Sequence, residues 1–201
     1  MPRSPNPRLR ADLLSSAVRL LDARGGPSFS MKELCAEVDY SVTAAYRVFR
    51  SRADLLRALQ LHLFTELFTD LAGGEVSSCA RTETRLLGRR FLVWAVDHPA
   101  RYRFMFHNTE AEALLSASDQ VLARAPLQYL ESVLERGRSA GVFSVADPGS
   151  TALLLFASLH GLASLHLSER LDRSRVPDLI AFYDRWADHW LAVLTPPDGV
   201  R

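Results

Sequence analysis

The sequence predicts an all-α fold, with a small three-helix head followed by a larger helical bundle. Three observations carry that prediction. Apolar residues recur at i, i+3, i+4 and i+7 along most of the chain. The interruptions fall at Gly and Pro, with capping residues close behind them. No segment alternates apolar and polar residues with the period of two that a half-buried strand requires.

Taken in order, Leu9, Leu13, Ala17, Leu20 and Leu21 form the apolar stripe of a first helix. Arg24-Gly25-Gly26-Pro27 ends it with a Gly stop and a Pro just beyond. Ser30-Met31-Lys32-Glu33 is a capping box, in which the Ser hydroxyl and the Glu carboxylate serve free amides at the start of a second helix. Met31, Leu34, Cys35 and Val38 supply its apolar stripe. Asp39-Tyr40 is a short turn. Ser41 caps a third helix that runs to about Phe49. Ser51-Arg52-Ala53-Asp54 is a second capping box, opening a long helix that ends near Gly73-Gly74. Further helices are expected over about 79–98, 100–107 and 112–138, the first stopped by Pro99 and the last ending near Gly141. Asp147-Pro148 places an N-cap and a Pro at the first helical position of a helix to about 171. The last helix spans about 176–194 and stops at Pro196-Pro197.

The charge distribution divides the chain similarly. Residues 1–57 hold ten Lys and Arg against six Asp and Glu, a net of +4, while the remainder nets −3. The expected domains are a head, residues 1–57, and a body, residues 58–201, with the fourth helix shared. A basic front on a slightly acidic body points the front alone at a polyanion. With 48 % hydrophobic residues in 201, the chain can build a core. Cys35 and Cys79 lie far apart without CxxC or His/Cys spacing, so neither a metal nor a cofactor is expected. The first residues lack a signal-peptide pattern, and no apolar run is read as a membrane span, so a cytoplasmic location without a membrane partner is expected. A helical-bundle enzyme needs paired inward acids or a Glu-x-x-His set. None is found, and Asp184, Asp188 and His189 read as a solvated helix face, so the chain is not expected to be an enzyme.

The first three helices have the lengths and breaks of a helix-turn-helix, whose second helix crosses the phosphate backbone and whose third enters the major groove. The turn needs a residue with φ > 0, and Asp39 stands there; Asp tolerates that region better than most residues. "LLSSAVRLLDARGG", followed by "FSMKELCAEVDYSVTAAYRVFRSRADLLRAL", resembles the DNA-binding head of TetR-family transcriptional repressors over about residues 9–60. Ser41, Ala45, Tyr46, Phe49, Ser51, Arg52 and Leu55 stand at that pattern's positions. Asp39 departs from its usual Gly, Tyr40 from Val, Ala45 from a bulky Leu and Val48 from a common His. "DHPARYRFMF" and "FASLHGLASLHL" resemble the ligand-binding half of a subgroup with a His-Gly pair in the dimerising helix, with Phe156 where that motif often has Trp.

In this frame Ala45 and Phe49 face the head's core. Val42, Thr43 and Ala44 are the expected base-reading residues. None can form the bidentate bonds of Arg with guanine or Asn with adenine, so readout leans on thymine methyls and DNA shape. Tyr46, Arg47 and Arg52 are expected at phosphates, the Tyr46 hydroxyl by the family pattern. Ser30 and the amides behind it offer an anion site, with Ser41 holding the start of the reading helix. Arg3, Arg8 and Arg10 are candidates for an arm entering the minor groove.

In the body, Ala157, Gly161, Ser164 and Ser168 form a seam of small residues, which lets two helices approach closely. This helix and the last one are expected to pair with their copies in a four-helix homodimer interface. Two heads then suit a palindromic double-stranded DNA operator with half-sites roughly 34–36 Å apart. The resemblance implies a small apolar or amphipathic effector that releases a repressor, in a pocket drawn from Trp94, Phe104, His107, Tyr129, Phe156 and His160. A DNA-binding dimer without an effector, and a helical-bundle enzyme, are the alternatives.

Overall fold

A computed structural model describes residues 7–74, 77–108 and 115–195. The described residues form ten helices and no strand. They are α1 (Pro7–Arg24), α2 (Met31–Glu37), α3 (Val42–Val48), α4 (Arg52–Ala72), α5 (Ala80–Asp97), α6 (Pro99–Phe106), α7 (Ala117–Ala123), α8 (Ala125–Ser139), α9 (Pro148–Leu167) and α10 (Leu179–Leu194).

The helices gather into two compact units. The first takes the chain to Glu66 and again from His98 to Ala123. In it α1 packs on α2, α3 and α6. Leu13, Leu21, Leu34, Phe49, Leu55, Leu59, Leu63 and Tyr102 are its largest fully buried apolar side chains. The second unit takes residues 67–97 and the chain from Arg124 onward. There α5 and α9 pack on α8, and α5 also packs on α9 and α10. Leu92, Ala95, Val133, Leu134, Ala152 and Ala163 are fully buried.

The helix boundaries follow local chemistry. Ser30 and Glu33 form both halves of the capping box, with Ser30 Oγ accepting from the Glu33 amide at 3.2 Å and Glu33 Oε2 accepting from the Ser30 amide at 2.7 Å. At α4 only half of the expected box closes. Ser51 Oγ accepts from the Asp54 amide at 3.0 Å, but the shorter Asp carboxylate accepts from the Arg50 amide at 3.1 Å. Gly25 and Gly141, both at φ 70°, follow the ends of α1 and α8 in the conformation that favours glycine.

Four expectations need correction. The single helix expected over 112–138 is two, α7 and α8, meeting at Arg124. Pro126 near the start of α8 has no amide to donate and crowds the preceding turn, so an unbroken helix cannot pass through it. The penultimate helix stops at Leu167, where Glu169 turns to φ 58°, and the last begins only at Leu179, capped by Asp178. Arg8 and Arg10 belong to α1, where Arg8 pairs with Asp12 at 4.0 Å and Arg10 lies 5.5 Å from the Phe49 ring centroid; they are helical residues, not a free arm. Arg3, Pro196 and Pro197 lie outside the described residues. Finally, α9 is long and apolar enough to cross a membrane by length and composition. Only 22 % of that stretch is buried within the chain.

Candidate nucleic-acid interface

The head is assembled by bonds between neighbouring helices. Tyr40 at the turn donates its hydroxyl to Asp12 on α1 at 3.1 Å. Asp39 makes the turn at φ 53°, and the Tyr40 amide donates to the Cys35 carbonyl at 3.1 Å. Ser41 then accepts from the Ala44 amide at 3.1 Å and caps α3. Ala45 and Phe49 are buried, so α3 is held by its inner face. The outer face is left open. Thr43 and Arg47 are exposed and Ala44 is half-buried. Val42 is 37 % exposed and Tyr46 48 %.

Ser30, Tyr46 and Arg52 line one concavity of about 470 Å³ with Phe29, Met31 and Leu55. Two of these three are already engaged. Arg52 donates to the carbonyls of Pro27 and Phe29 and lies 5.6 Å from the Phe29 ring centroid, tying α4 to the entry of α2. Ser30 Oγ donates to Glu33 Oε2 at 2.7 Å. Hydrogen bonds from Arg24 and Ser30 hold the Glu33 carboxyl down to about 2. A carboxylate therefore already occupies the N-terminus of α2, where the sequence suggests an anion site. Tyr46 and Arg47 make no side-chain hydrogen bond or ion pair among the described residues.

Most acids of the head are matched. Glu37 takes Arg19 at 3.1 Å and the Ser16 hydroxyl at 2.8 Å, and Glu33 takes Arg24 at 2.6 Å. Lys32, Arg47 and Arg50 are exposed and make no ion pair among the described residues. These three unmatched cations make the head attractive to a polyanion. Lys32 and Arg50 are absent from the residues singled out by sequence. The one acid near Arg50, Asp54, bonds its backbone amide and not its guanidinium, a detail that spacing does not reveal.

The six expected pocket residues are divided between the two units. Phe104, buried, and His107, exposed, belong to the first unit. Trp94, Tyr129, Phe156 and His160 belong to the second. There Phe156 and His160 stack edge to face at 4.3 Å, and both meet Phe91. Tyr129 donates to the buried Glu83 at 2.9 Å, and Arg136 holds the same carboxylate at 2.7 Å. Burial and the Glu83 bond push the Tyr129 hydroxyl upward. A cavity of about 20 Å³ opens elsewhere in this unit, lined by Gly88, Leu159, Tyr183 and Trp186 among others, and by none of the six. A side chain at Gly88 would collide with Tyr183, since a Cβ there would lie 2.2 Å from its hydroxyl. That volume holds about one water molecule.

The small-residue seam is open. Ala157, Gly161 and Ser168 are exposed and Ser164 half-buried. Leu154 is 61 % exposed beside them. A groove of about 360 Å³ runs between α9 and α10, lined by Gly161, Leu162, Leu165, Phe182, Trp186 and Trp190. Ser158 and Ser168 return their hydroxyls to carbonyls of their own helix at 2.8 and 2.7 Å, which leaves the face less polar than its serines suggest.

Residues 13–59 match the family model described as bacterial regulatory proteins, tetR family. Residues 84–189, more than half of the chain, match the model described as tetracyclin repressor-like, C-terminal domain. Among solved structures, a protein of unknown function from Rhodococcus sp. RHA1 is 24 % identical, with a TM-score of 0.83 over 98 % of this chain and 100 % of its own. A bacterial regulatory protein in the tetR family from Rhodococcus RHA1 is 18 % identical, with a TM-score of 0.68 over 96 % of this chain and 100 % of its own. RolR in complex with the ligand resorcinol is 18 % identical, with a TM-score of 0.65 over 94 % of this chain and 89 % of its own. No curated protein matches the sequence. Identities this low speak for the fold alone, while the two family models cover the head and most of the body. The chain therefore belongs to the TetR family of bacterial regulatory proteins.

Proposed function

We propose that the chain is a homodimeric transcriptional repressor that binds a palindromic DNA operator and leaves it when a small molecule binds. The observation that carries this reading is the open face of α3. Its inner residues are buried and its start is capped, while Val42, Thr43, Tyr46 and Arg47 stand outward on a head with unmatched cations. Val42, Thr43 and Ala44 meet base edges. Tyr46 and Arg47 meet phosphates, joined by Lys32 and Arg50. Arg52 and Ser30 act one step back, fixing the loop and helix entry beside Tyr46. The apolar exposed face of α9, with Gly161 open at its middle, supports pairing with a second copy. The effector is inferred from the family and from RolR, which binds resorcinol. Placement in the His-Gly subgroup is inferred from the stretches around His98-Pro99 and His160-Gly161.

Arg47→Ala tests the reading at the interface. It should weaken binding to all DNA sequences alike and lower the salt slope by about 1 per head, measured by fluorescence anisotropy across a salt series. Loss confined to one base pair would remove Arg47 from the backbone role.

A further inference from the structure

Gln60 is an unusual residue for the interior of a helical bundle. It lies on α4 with 1 % of its surface exposed. Its Nε2 donates to the Met105 carbonyl at 3.2 Å, which fixes the amide's orientation because a carbonyl can only accept. Met105 stands in the last turn of α6, where carbonyls lack helical partners, so half of the Gln60 amide has a structural task. The other half has none. Gln60 Oε1 is the one buried side-chain oxygen or nitrogen without a hydrogen-bond partner among the described residues. A buried acceptor left this way is costly unless a donor arrives.

The surroundings say which donor fits. Phe64 follows Gln60 by one turn on α4, and Phe106 follows Met105 on α6; their rings meet edge to face at 5.5 Å. Tyr102 packs on Phe106 at 5.2 Å. The charged groups nearby are matched to one another. Arg57, one turn before Gln60, forks onto Asp119 at 2.6 and 2.8 Å. Arg101, next to Tyr102, holds Asp22 at 2.7 Å and also Glu66. A charged ligand would find no free counter-ion there. Burial falls away along the last turn of α6, from Tyr102 and Met105 through half-buried Phe106 to exposed His107.

We propose that Gln60 is the polar anchor of an effector site between α4 and α6, and that it takes a neutral aromatic molecule whose hydroxyl donates to Oε1. This deepens the effector-controlled reading above and rests on it. Phenol and toluene are the matching probes, equal in shape and different in the hydroxyl. Calorimetry and thermal shift on the purified full chain should give phenol tighter binding by about five- to ten-fold, the worth of one hydrogen bond. Gln60→Met keeps the side-chain length and should abolish that preference; it also removes the bond to the Met105 carbonyl, so the two probes are compared on the same variant. If Gln60→Met does not fold, Gln60→Leu replaces it, and the preference of the unaltered chain is read without either variant. Equal binding of the two probes, a phenol preference that survives in the variant, or no phenol binding at all would each overturn the anchor. Retention of DNA in a gel shift separates this from the broader reading. A chain that holds DNA and ignores phenol loses only the anchor, while one that binds phenol and no DNA loses the regulator.

Discussion

Asp39 carries the helix-turn-helix at φ 53°, a conformation that costs an L residue roughly 1 kcal/mol or more. Asp39→Ala should therefore lower stability by about 1 kcal/mol, while Asp39→Gly should hold or raise it, as read from urea midpoints of the full chain. Asp119 makes a pH prediction. It is buried, bonded by Arg57 at 2.6 Å and by the Ser116 amide at 2.8 Å, and the Arg57 bond leads in holding its carboxyl down to about 2 from 3.8. A depressed carboxyl binds its proton later in the folded state than in the unfolded one. Its contribution is thus complete above the ordinary value and fades as pH falls from there through about 2. Asp119→Asn should flatten that part of the acid unfolding curve, and an unchanged slope would remove the pair from the acid response. At this scale the caps and the turn were legible, because Ser30, Ser41 and Asp39 act within four residues of themselves. The Arg57–Asp119 and Glu83–Arg136 pairs were not, being 62 and 53 residues apart with no periodicity to join them.

Among the elements, α6 is tied to its neighbours through Arg101. Arg101 reaches from it to Asp22 on α1 and to Glu66 on α4, so one guanidinium joins three helices of the first unit. Helix α9 is the opposite case, apolar and largely open. Gly161 offers a clean test of what covers it. Among the described residues, nothing beyond its own stretch of helix lies within 4 Å of a Cβ added there, so a side chain at this position starts into open space. Gly161→Leu should leave the far-ultraviolet helix signal intact and shift the chain to monomer on a sizing column. A dimer that persists would place the subunit contact elsewhere. Helix positions were legible wherever periodicity ran between breakers. The α7–α8 division was hidden because Pro126 sits in an otherwise helical pattern. The aromatic residues chosen for a pocket were legible only as buried or half-buried groups. Pattern says that a ring is inside, but not which rings share a cavity, and Gly88 and Tyr183 line one together though 95 residues separate them.

For the whole molecule, function rests on joining two modest surfaces. One head offers a short α3 with no bidentate base reader among Val42, Thr43 and Ala44. In the proposed dimer its affinity would come from Tyr46, Arg47 and the unmatched cations, multiplied by a second such head on the same DNA. Binding should accordingly be steep in salt, falling about 10³-fold between 50 and 200 mM. The direct test is a gel shift of the purified chain on the DNA upstream of its own coding sequence, at low salt and with stoichiometry measured. The account predicts a retarded band holding two chains, or a multiple of two, that disappears as salt rises. Failure to bind any fragment at low salt would contradict it.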